Sequence, residues 1–373
     1  MRYRGAGEGV GVSVTAPPFC RVSGFGPLFA MVGAEQGAEA LEHLRRQSGF
    51  AAETYAPSAL APFAMMNRVF NLAARMTGDR QFGARVGQNI RLDEFGPFVE
   101  YAFHGKTLGQ VIMRSMAAQP LHSSELVMDL RVVGGEALWR IRYRAKSEPT
   151  VEHHAQRTLM QMLSAIGRYA GSRKDRIAIH VAEPYAAEAR LLQDRLDIAV
   201  RPRMADYEVA FPAPWLDKWT PIVGLPAEAS IESLAPYYDR PLPRKMAEAL
   251  LIALNMHADL PKGGIGAIAA DIGLPPRTLQ YALRQEGLSY REIVRELCLR
   301  RARRVLANTQ APLAEVALRA GYTDPSNFHR AFLRLMGMTP GQFRAASKSD
   351  APIGDHPAAL APFAMLKRTA FRR

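Results

Sequence analysis

In the last third of the chain, apolar positions recur with helical spacing, and they do so in two copies. In the first copy Ile265, Ile268 and Ala269 fall on one helical face, and Ile272 closes the stripe. Gly273 stands where the chain must reverse, a conformation glycine takes without steric cost. Pro275 and Pro276 suit the first turn of a new helix. Leu279 and Leu283 of that helix face inward, leaving Arg277, Thr278, Gln280 and Tyr281 outward. In the second copy Leu313, Val316 and Ala317 make the inner stripe and Gly321 makes the corner. Asp324 caps the next helix, which opens on Pro325. Phe328 and Phe332 face inward there, and Ser326, Asn327, His329 and Arg330 face outward. The corner glycines are 48 residues apart, so the segment is an internal duplication with the outline of a helix-turn-helix.

Between the copies, Ser289 to Asn308 contains no Gly or Pro. Its apolar positions are Tyr290, Ile293, Val294, Leu297, Ala302, Val305 and Leu306, and its other face carries Arg291, Arg295, Arg300, Arg301, Arg303 and Arg304. The spacing predicts one continuous helix of about 30 Å at 1.5 Å per residue. Successive major-groove faces of DNA lie about 34 Å apart, so such a rod suits two recognition helices in adjacent grooves. Its arginines read equally as solvated charge or as phosphate contacts.

Upstream the pattern is mixed. Helical spacing marks 34–47 and 60–76, where Phe63, Met66, Phe70 and Ala73 share a face. Leu108, Val111, Ile112 and Met116 mark a helix capped by Thr107, and 151–170 reads as a long helix with Leu159, Met162, Leu163 and Ile166 inward. A hairpin lies between them. Leu126, Met128, Leu130 and Val132 alternate, Gly134 and Gly135 turn, and Trp139, Ile141 and Tyr143 alternate back, with Arg140, Arg142 and Arg144 opposite. Ile177, Ile179 and Val181 predict a strand, as do Tyr207, Val209 and Phe211. Five prolines between Pro221 and Pro243 mark a linker, after which Met246, Ala247, Leu250, Leu251 and Leu254 open a helical domain. The expected organisation is a loosely ordered start (1–25), an α+β domain (26–220), a linker (221–243), an all-α domain with two helix-turn-helix motifs joined by a long helix (244–345), and a loosely ordered tail (346–373). The tail repeats Ala59–Met65 as Ala359–Met365, for which there is no physical account.

Charge sharpens this division. The net charge is +13. From Pro241 onward there are 20 Lys and Arg against 10 Asp and Glu, whereas the first 240 residues hold 28 against 25. The basicity therefore sits on the duplicated motif, the distribution a nucleic-acid binder requires. Cys20 and Cys298 form neither a metal spacing nor a disulfide framework, and Cys298 is expected to pack as a small apolar residue. No apolar run reaches 18 residues and Met1 to Val22 lacks a continuous apolar core, so neither a membrane span nor a signal peptide is expected and a reducing cytoplasm fits. His153 and His154 are adjacent on a helix and do not converge on one ion; His104 and His122 carry no pattern either. Trp139, Tyr143 and Phe95 read as core aromatics rather than as the lining of a ligand pocket. No convergent acid, base or nucleophile set emerges in 26–220, so no enzyme and no cofactor is expected.

With these residues in view, the C-terminal segment resembles the DNA-binding domain of the AraC/XylS family of transcriptional regulators. The resemblance rests on Ala320-Gly321-Tyr322-Thr323-Asp324-Pro325-Ser326-Asn327-Phe328, on Arg330-Ala331-Phe332, and on the ending Gly337-Met338-Thr339-Pro340-Gly341-Gln342-Phe343-Arg344. It implies base contacts from Arg277, Thr278, Gln280 and Tyr281 and from Ser326, Asn327, His329 and Arg330. It implies phosphate contacts at Ile265, Arg284, Arg300, Arg304, Leu313 and Arg334. Tyr281 departs from the many relatives with arginine there: a phenol gives or takes one hydrogen bond but cannot fork onto guanine as arginine does. Residues from about 26 to 219 are similar to the effector domain of one AraC-type branch, which includes regulators of ornithine use and mycobacterial virulence. That likeness rests on Ala74-Arg75-Met76-Thr77-Gly78-Asp79, Phe82-Gly83, Phe95-Gly96-Pro97, Thr107-Leu108-Gly109 and Tyr207-Glu208-Val209-Ala210-Phe211. It implies promoter or operator DNA as partner, a small-molecule effector, activation through RNA polymerase, and a homodimer. An enzyme with a DNA-binding tail and a non-specific architectural DNA binder remain the alternatives.

Overall fold

The computed structural model describes residues 15–347, apart from 51–57, 92–95, 145–150, 172, 183–185, 204–205, 221–229, 235–237, 239–240, 258–259 and 261–262. Phe95, the second copy of the repeated heptapeptide and most of both termini fall outside the described residues. The chain forms two compact units, an N-terminal one of residues 17–243 together with 270–273, and a C-terminal one that begins at residue 244 and holds the rest of the helical region.

In chain order the N-terminal unit comprises β1 (Phe19–Arg21), α1 (Gly26–Ser48), β2 (Leu60–Pro62), α2 (Phe63–Thr77), α3 (Phe82–Asn89), α4 (Pro97–Phe103), α5 (Leu108–His122), β3 (Leu126–Val133), β4 (Glu136–Tyr143), α6 (Glu152–Ala170), β5 (Ala178–Ala182), α7 (Ala186–Leu196), β6 (Ala199–Arg203) and β7 (Tyr207–Pro212). Five strands form one sheet in the order β3-β4-β7-β5-β6; only β5 and β6 run parallel, joined through α7. The β3–β4 hairpin pairs Leu126 with Tyr143 through to Val133 with Glu136, and Gly134 and Gly135 turn it with φ of 58° and 82°. Such a turn needs two left-handed residues, which two glycines supply. Trp139 and Ile141 enter the core as the alternation requires, but on the edge strand β3 only Leu126 is fully buried and Val132 is exposed. On the opposite face Arg140 pairs with Asp129 at 2.9 Å and Asp206 at 3.0 Å.

The helices cover the inner face. Thr107 caps α5 as expected, its hydroxyl accepting from the Gln110 N–H at 3.3 Å. Helix α6 buries His154, Ala155, Arg157, Thr158, Leu159, Met162 and Ile166. Against it lies α3, and the approach is backbone to backbone. A Cβ built on Gly83 would overlap the His153 carbonyl oxygen, and one on Gly87 would sit 2.7 Å from that of Arg157. The two glycines are one helical turn apart and so share the contact face.

Three local expectations are corrected. Residues 60–62 form a strand, because they pair antiparallel with β1, and α2 begins only at Phe63. Helix α1 starts at Gly26, earlier than the pattern predicts, and carries a break at Gly37, whose φ is 87°. Part of the proline-rich stretch read as a linker is core: Leu234 and Tyr238 are buried with Tyr101 and Ala118.

The C-terminal unit is helical: α8 (Met246–Asn255), α9 (Gly264–Asp271), α10 (Pro276–Gln285), α11 (Tyr290–Asn308), α12 (Leu313–Arg319), α13 (Pro325–Met336) and α14 (Pro340–Ala346). Helix α8 packs on α10 and α11, and its first N–H groups, at Met246 and Ala247, donate to the Glu286 carboxylate at 2.6 and 3.0 Å. Such a carboxylate satisfies orphan donors and complements the positive end of the helix dipole. Around the second motif, Leu299, Ala302, Leu306, Val316, Ala317, Ala320, Phe328 and Phe332 form one cluster. Leu313, read as part of the inner stripe, is exposed instead: it is the first residue of α12, and the buried contacts of that helix come from Val316 and Ala317 further along.

Candidate nucleic-acid interface and ligand cavity

The two outward faces are built alike. Pro276 is the first residue of α10, and Leu279 and Leu283 hold that helix to the core. Arg277, Gln280 and Tyr281 are then exposed and Thr278 is half-buried. On α13 the Asp324 carboxylate accepts from the Ser326 N–H at 2.8 Å, and Phe328 and Phe332 are the buried anchors. Ser326, Asn327, His329 and Arg330 are all exposed. The Arg330 guanidinium donates to the Asn327 side-chain oxygen at 2.7 Å, which aligns two hydrogen-bonding groups on one exposed helical face. Gly273 and Gly321 make the two corners with φ of 73° and 94°.

The rod between them is α11, one unbroken helix of 19 residues, begun by a reciprocal cap between Ser289 and Glu292. Its arginines do not share one fate. Arg291, Arg295 and Arg304 are exposed. Arg300 pairs with Glu296 one turn away at 2.8 Å, and Arg303 lies over the Phe343 ring at 5.8 Å. Arg301, read as outward, turns inward and donates to the carbonyls of Leu254 at 3.2 Å and His257 at 2.9 Å. It is a structural clasp on the end of α8. Among the other residues expected at phosphates, Arg284 and Arg334 are exposed in the last turns of α10 and α13. Ile265 and Leu313 stand in the first turns of α9 and α12. Cys298 is buried as expected, and burial raises the pKa of its thiol.

The N-terminal unit holds a cavity of about 90 Å³, measured over the space that the centre of a water molecule can occupy. Its walls come from β1, α3, α4, α5, α6 and the β3–β4 hairpin. Phe98, Phe103, Met128 and Met162 supply apolar surface, while Gln119, His122, Trp139, His154, Arg157 and Gln161 supply polar groups. Trp139 therefore lines this cavity while remaining 3% exposed, so core and lining are one role here; Tyr143 is not part of the wall. His154 is held by the Tyr143 hydroxyl at 2.9 Å and by the Phe63 ring at 4.9 Å between centroids. Burial, reinforced by Arg157 and His122, drives its pKa well down. His122 is pushed down to about 3 by burial, then by Arg157 and Arg21. Both imidazoles are thus neutral at pH 7. Burial pushes the Cys20 thiol, also in the wall, up to about 12. Among the described residues no group of His, Cys, Asp and Glu could hold a metal ion, and no helix is long and apolar enough to cross a membrane.

These wall residues carry a signal that the apolar pattern hides. Ser115, Gln119 and His122 recur on one face of α5, and His154, Arg157, Thr158 and Gln161 on one face of α6. Polar side chains at helical spacing on an inward face mark a polar-lined interior.

Comparison with known proteins agrees with both halves. Residues 268–346 match the helix-turn-helix domain family, and residues 38–219 match the arabinose-binding domain found at the N-terminus of AraC transcription regulators. The ornithine utilization regulator of Pseudomonas aeruginosa is 24% identical over 302 residues, spanning 78% of this chain and 86% of that protein. The transcriptional regulator VirS of Mycobacterium tuberculosis is 38% identical over 79 residues, 21% of this chain and 23% of VirS. The regulator GlxA of Rhizobium meliloti is 37% identical over 84 residues, 22% of this chain and 26% of GlxA. The chain belongs to the AraC/XylS family of transcriptional regulators, with a double helix-turn-helix DNA-binding domain and an N-terminal domain of the arabinose-binding type.

Proposed function

We propose that α10 and α13 read two adjacent major grooves on one side of a promoter, and that a small molecule bound in the N-terminal unit controls this reading. The observation that carries the proposal is the pairing of two exposed polar helix faces with one unbroken α11 between their motifs. Gln280 suits adenine, Arg277 and Arg330 suit guanine, and the exposed arginines of α11, α10 and α13 suit phosphates. Effector binding favours the arrangement of protomers that fits the operator, a population shift between pre-existing states. The protein acts as a homodimeric cytoplasmic activator that engages RNA polymerase.

Footprinting on the promoter beside its own gene, with scrambled DNA of equal length as control, tests this. The expected result is two protected patches about one helical turn apart. Arg330→Ala is expected to cost about 1–3 kcal/mol on that site and much less on random DNA. Equal losses on both would make Arg330 a phosphate contact, and a single protected groove would end the two-groove reading.

A further inference from the structure

We propose that the cavity of the N-terminal unit takes a small carboxylate with an apolar body, its oxygens received by the N–H groups of Gln119, Gln161 and Trp139. The inference rests on the reading of this unit as a small-molecule sensor and specifies the chemistry of what it senses.

Three observations converge. First, Gln119 Nε2, Gln161 Nε2 and Trp139 Nε1 are all buried donors without an acceptor among the described residues, and all three side chains line this one cavity. Gln119 and Trp139 are themselves more than nine-tenths buried. Buried donors are normally paired, and a cluster of exceptions around one space selects an acceptor-rich occupant. Second, the described wall carries fixed positive charge and no negative charge. Arg157 is 3% exposed, held by the carbonyls of Gly24 at 3.3 Å and Ser23 at 3.2 Å and stacked on Phe25. Among the described residues no Asp or Glu belongs to the wall. His122 and His154 are kept neutral by burial and by Arg157, so neither imidazole adds a charge of its own to the wall. Third, Phe98, Phe103, Val99, Leu126 and Met162 line the remainder, which suits an alkyl or aryl body.

The same features disfavour a cationic guest. An ammonium would enter beside Arg157 with no carboxylate in the described wall to offset its lost hydration. A diamino acid such as ornithine, after whose utilization one relative is named, is therefore a poor match to this chain.

The test uses the full-length protein and matched probes: hexanoate and 3-phenylpropanoate against hexylamine, 3-phenylpropylamine and ornithine. Binding is followed by titration calorimetry, and affinity for the promoter is measured separately with and without each probe. The carboxylates are expected to bind at least tenfold tighter than the matched amines. Gln119→Leu, Gln161→Leu and Trp139→Phe are each expected to weaken carboxylates about five- to tenfold. Gln119→Leu should not lower the melting temperature of the probe-free protein, because it removes a buried donor that no described protein group satisfies. Amines binding as well as the acids, carboxylates failing to saturate, or unchanged affinity in the glutamine variants would each overturn the assignment. Carboxylate binding with the expected variant pattern but unchanged promoter affinity would leave the cavity chemistry standing and remove the sensor reading. A different compound class that shifts promoter affinity while carboxylates do not bind would do the reverse.

Discussion

Replacing Gly321 with alanine tests how the second motif is held. Gly321 has a φ of 94°, beyond the left-handed optimum near +57° and far from any region favourable to a side chain. Placing an L-residue in the left-handed region costs roughly 1–2 kcal/mol. An added Cβ would also meet Leu260 Cδ1 at 3.1 Å, Leu260 Cγ at 3.3 Å and Cys298 Sγ at 3.4 Å. The neighbours must give by a few tenths of an ångström, and overpacking of this kind adds about 1 kcal/mol, the lower end of its range, because Leu260 is only half-buried and can move. The expected loss is about 2–3 kcal/mol. Gly337, at the end of α13, separates the two causes: its φ is 71° and a Cβ there would meet nothing within 4 Å. Gly337→Ala should show the backbone cost alone, about 1–2 kcal/mol. Gly341, the second residue of α14, has neither positive φ nor a close neighbour, so Gly341→Ala should be neutral or stabilise by up to about 1 kcal/mol.

Urea unfolding of the full chain, followed through the transition of the C-terminal unit, reads all three. With a urea slope of about 1–3 kcal/mol per M, each kcal/mol moves the midpoint by about 0.3–1 M, so the ranking is well resolved. Adding Leu260→Ala to Gly321→Ala should recover the steric part and leave the backbone part, a double-mutant cycle with a coupling of about 0.5–1 kcal/mol. Equal losses at Gly321 and Gly337, or no coupling to Leu260, would refute the steric argument.

Further expectations concern charge. Because His122 is held at about 3 in the folded protein against 6.5 for a free imidazole, the unfolded state binds more protons between those values, so stability rises with pH through that window. Lowering pH from 7 to 5 should cost up to about 2 kcal/mol through His122, with His154 adding in the same direction; a His122→Gln variant with an unchanged pH slope in urea unfolding would sink this. Glu286→Gln should lose about 1 kcal/mol, since a neutral amide answers the first N–H groups of α8 less strongly than a carboxylate; a melting curve identical to wild type would count against it. Arg301→Ala should lose about 1–3 kcal/mol of stability. Arg304→Ala should leave stability within about 0.5 kcal/mol but lower the salt dependence of promoter binding by about one ion; the opposite pattern in titrations at varied salt would reassign both.

The duplicated motif was legible because each of its features is local. Gly273, Gly321, Pro276 and Asp324 act within one turn of their own position, and the stripes through Leu279 and Leu283 or Phe328 and Phe332 need no distant partner. The elements that escaped are those whose reason lies elsewhere in the chain. Residues 60–62 are a strand only because Phe19–Arg21 pair with them, and Ala59–Met65 alone reads as helix. Helix α3 carries Gly83 and Gly87, which lower helix propensity, and the benefit is visible only once α6 lies against them. Strand β6 contains Pro202, which is tolerated because β6 is an edge strand.

Composition misleads in a similar way at the two sites. Six arginines on α11 suggest a uniformly basic rod, yet Arg301 is consumed by the carbonyls of Leu254 and His257, and Arg300 by Glu296. The α11 arginines left exposed are Arg291, Arg295 and Arg304, with Arg284 and Arg334 exposed on the flanking helices. Phosphate binding depends on which cations remain exposed, not on how many the sequence holds. In the N-terminal unit the reverse applies. Its overall charge is nearly balanced and says nothing of a ligand, whereas Arg157 is withdrawn from solvent into a wall without carboxylates among the described residues. A charge held in low dielectric acts more strongly on a neighbour than one in water, which is why Arg157 is felt by both His122 and His154 although the unit as a whole is nearly neutral.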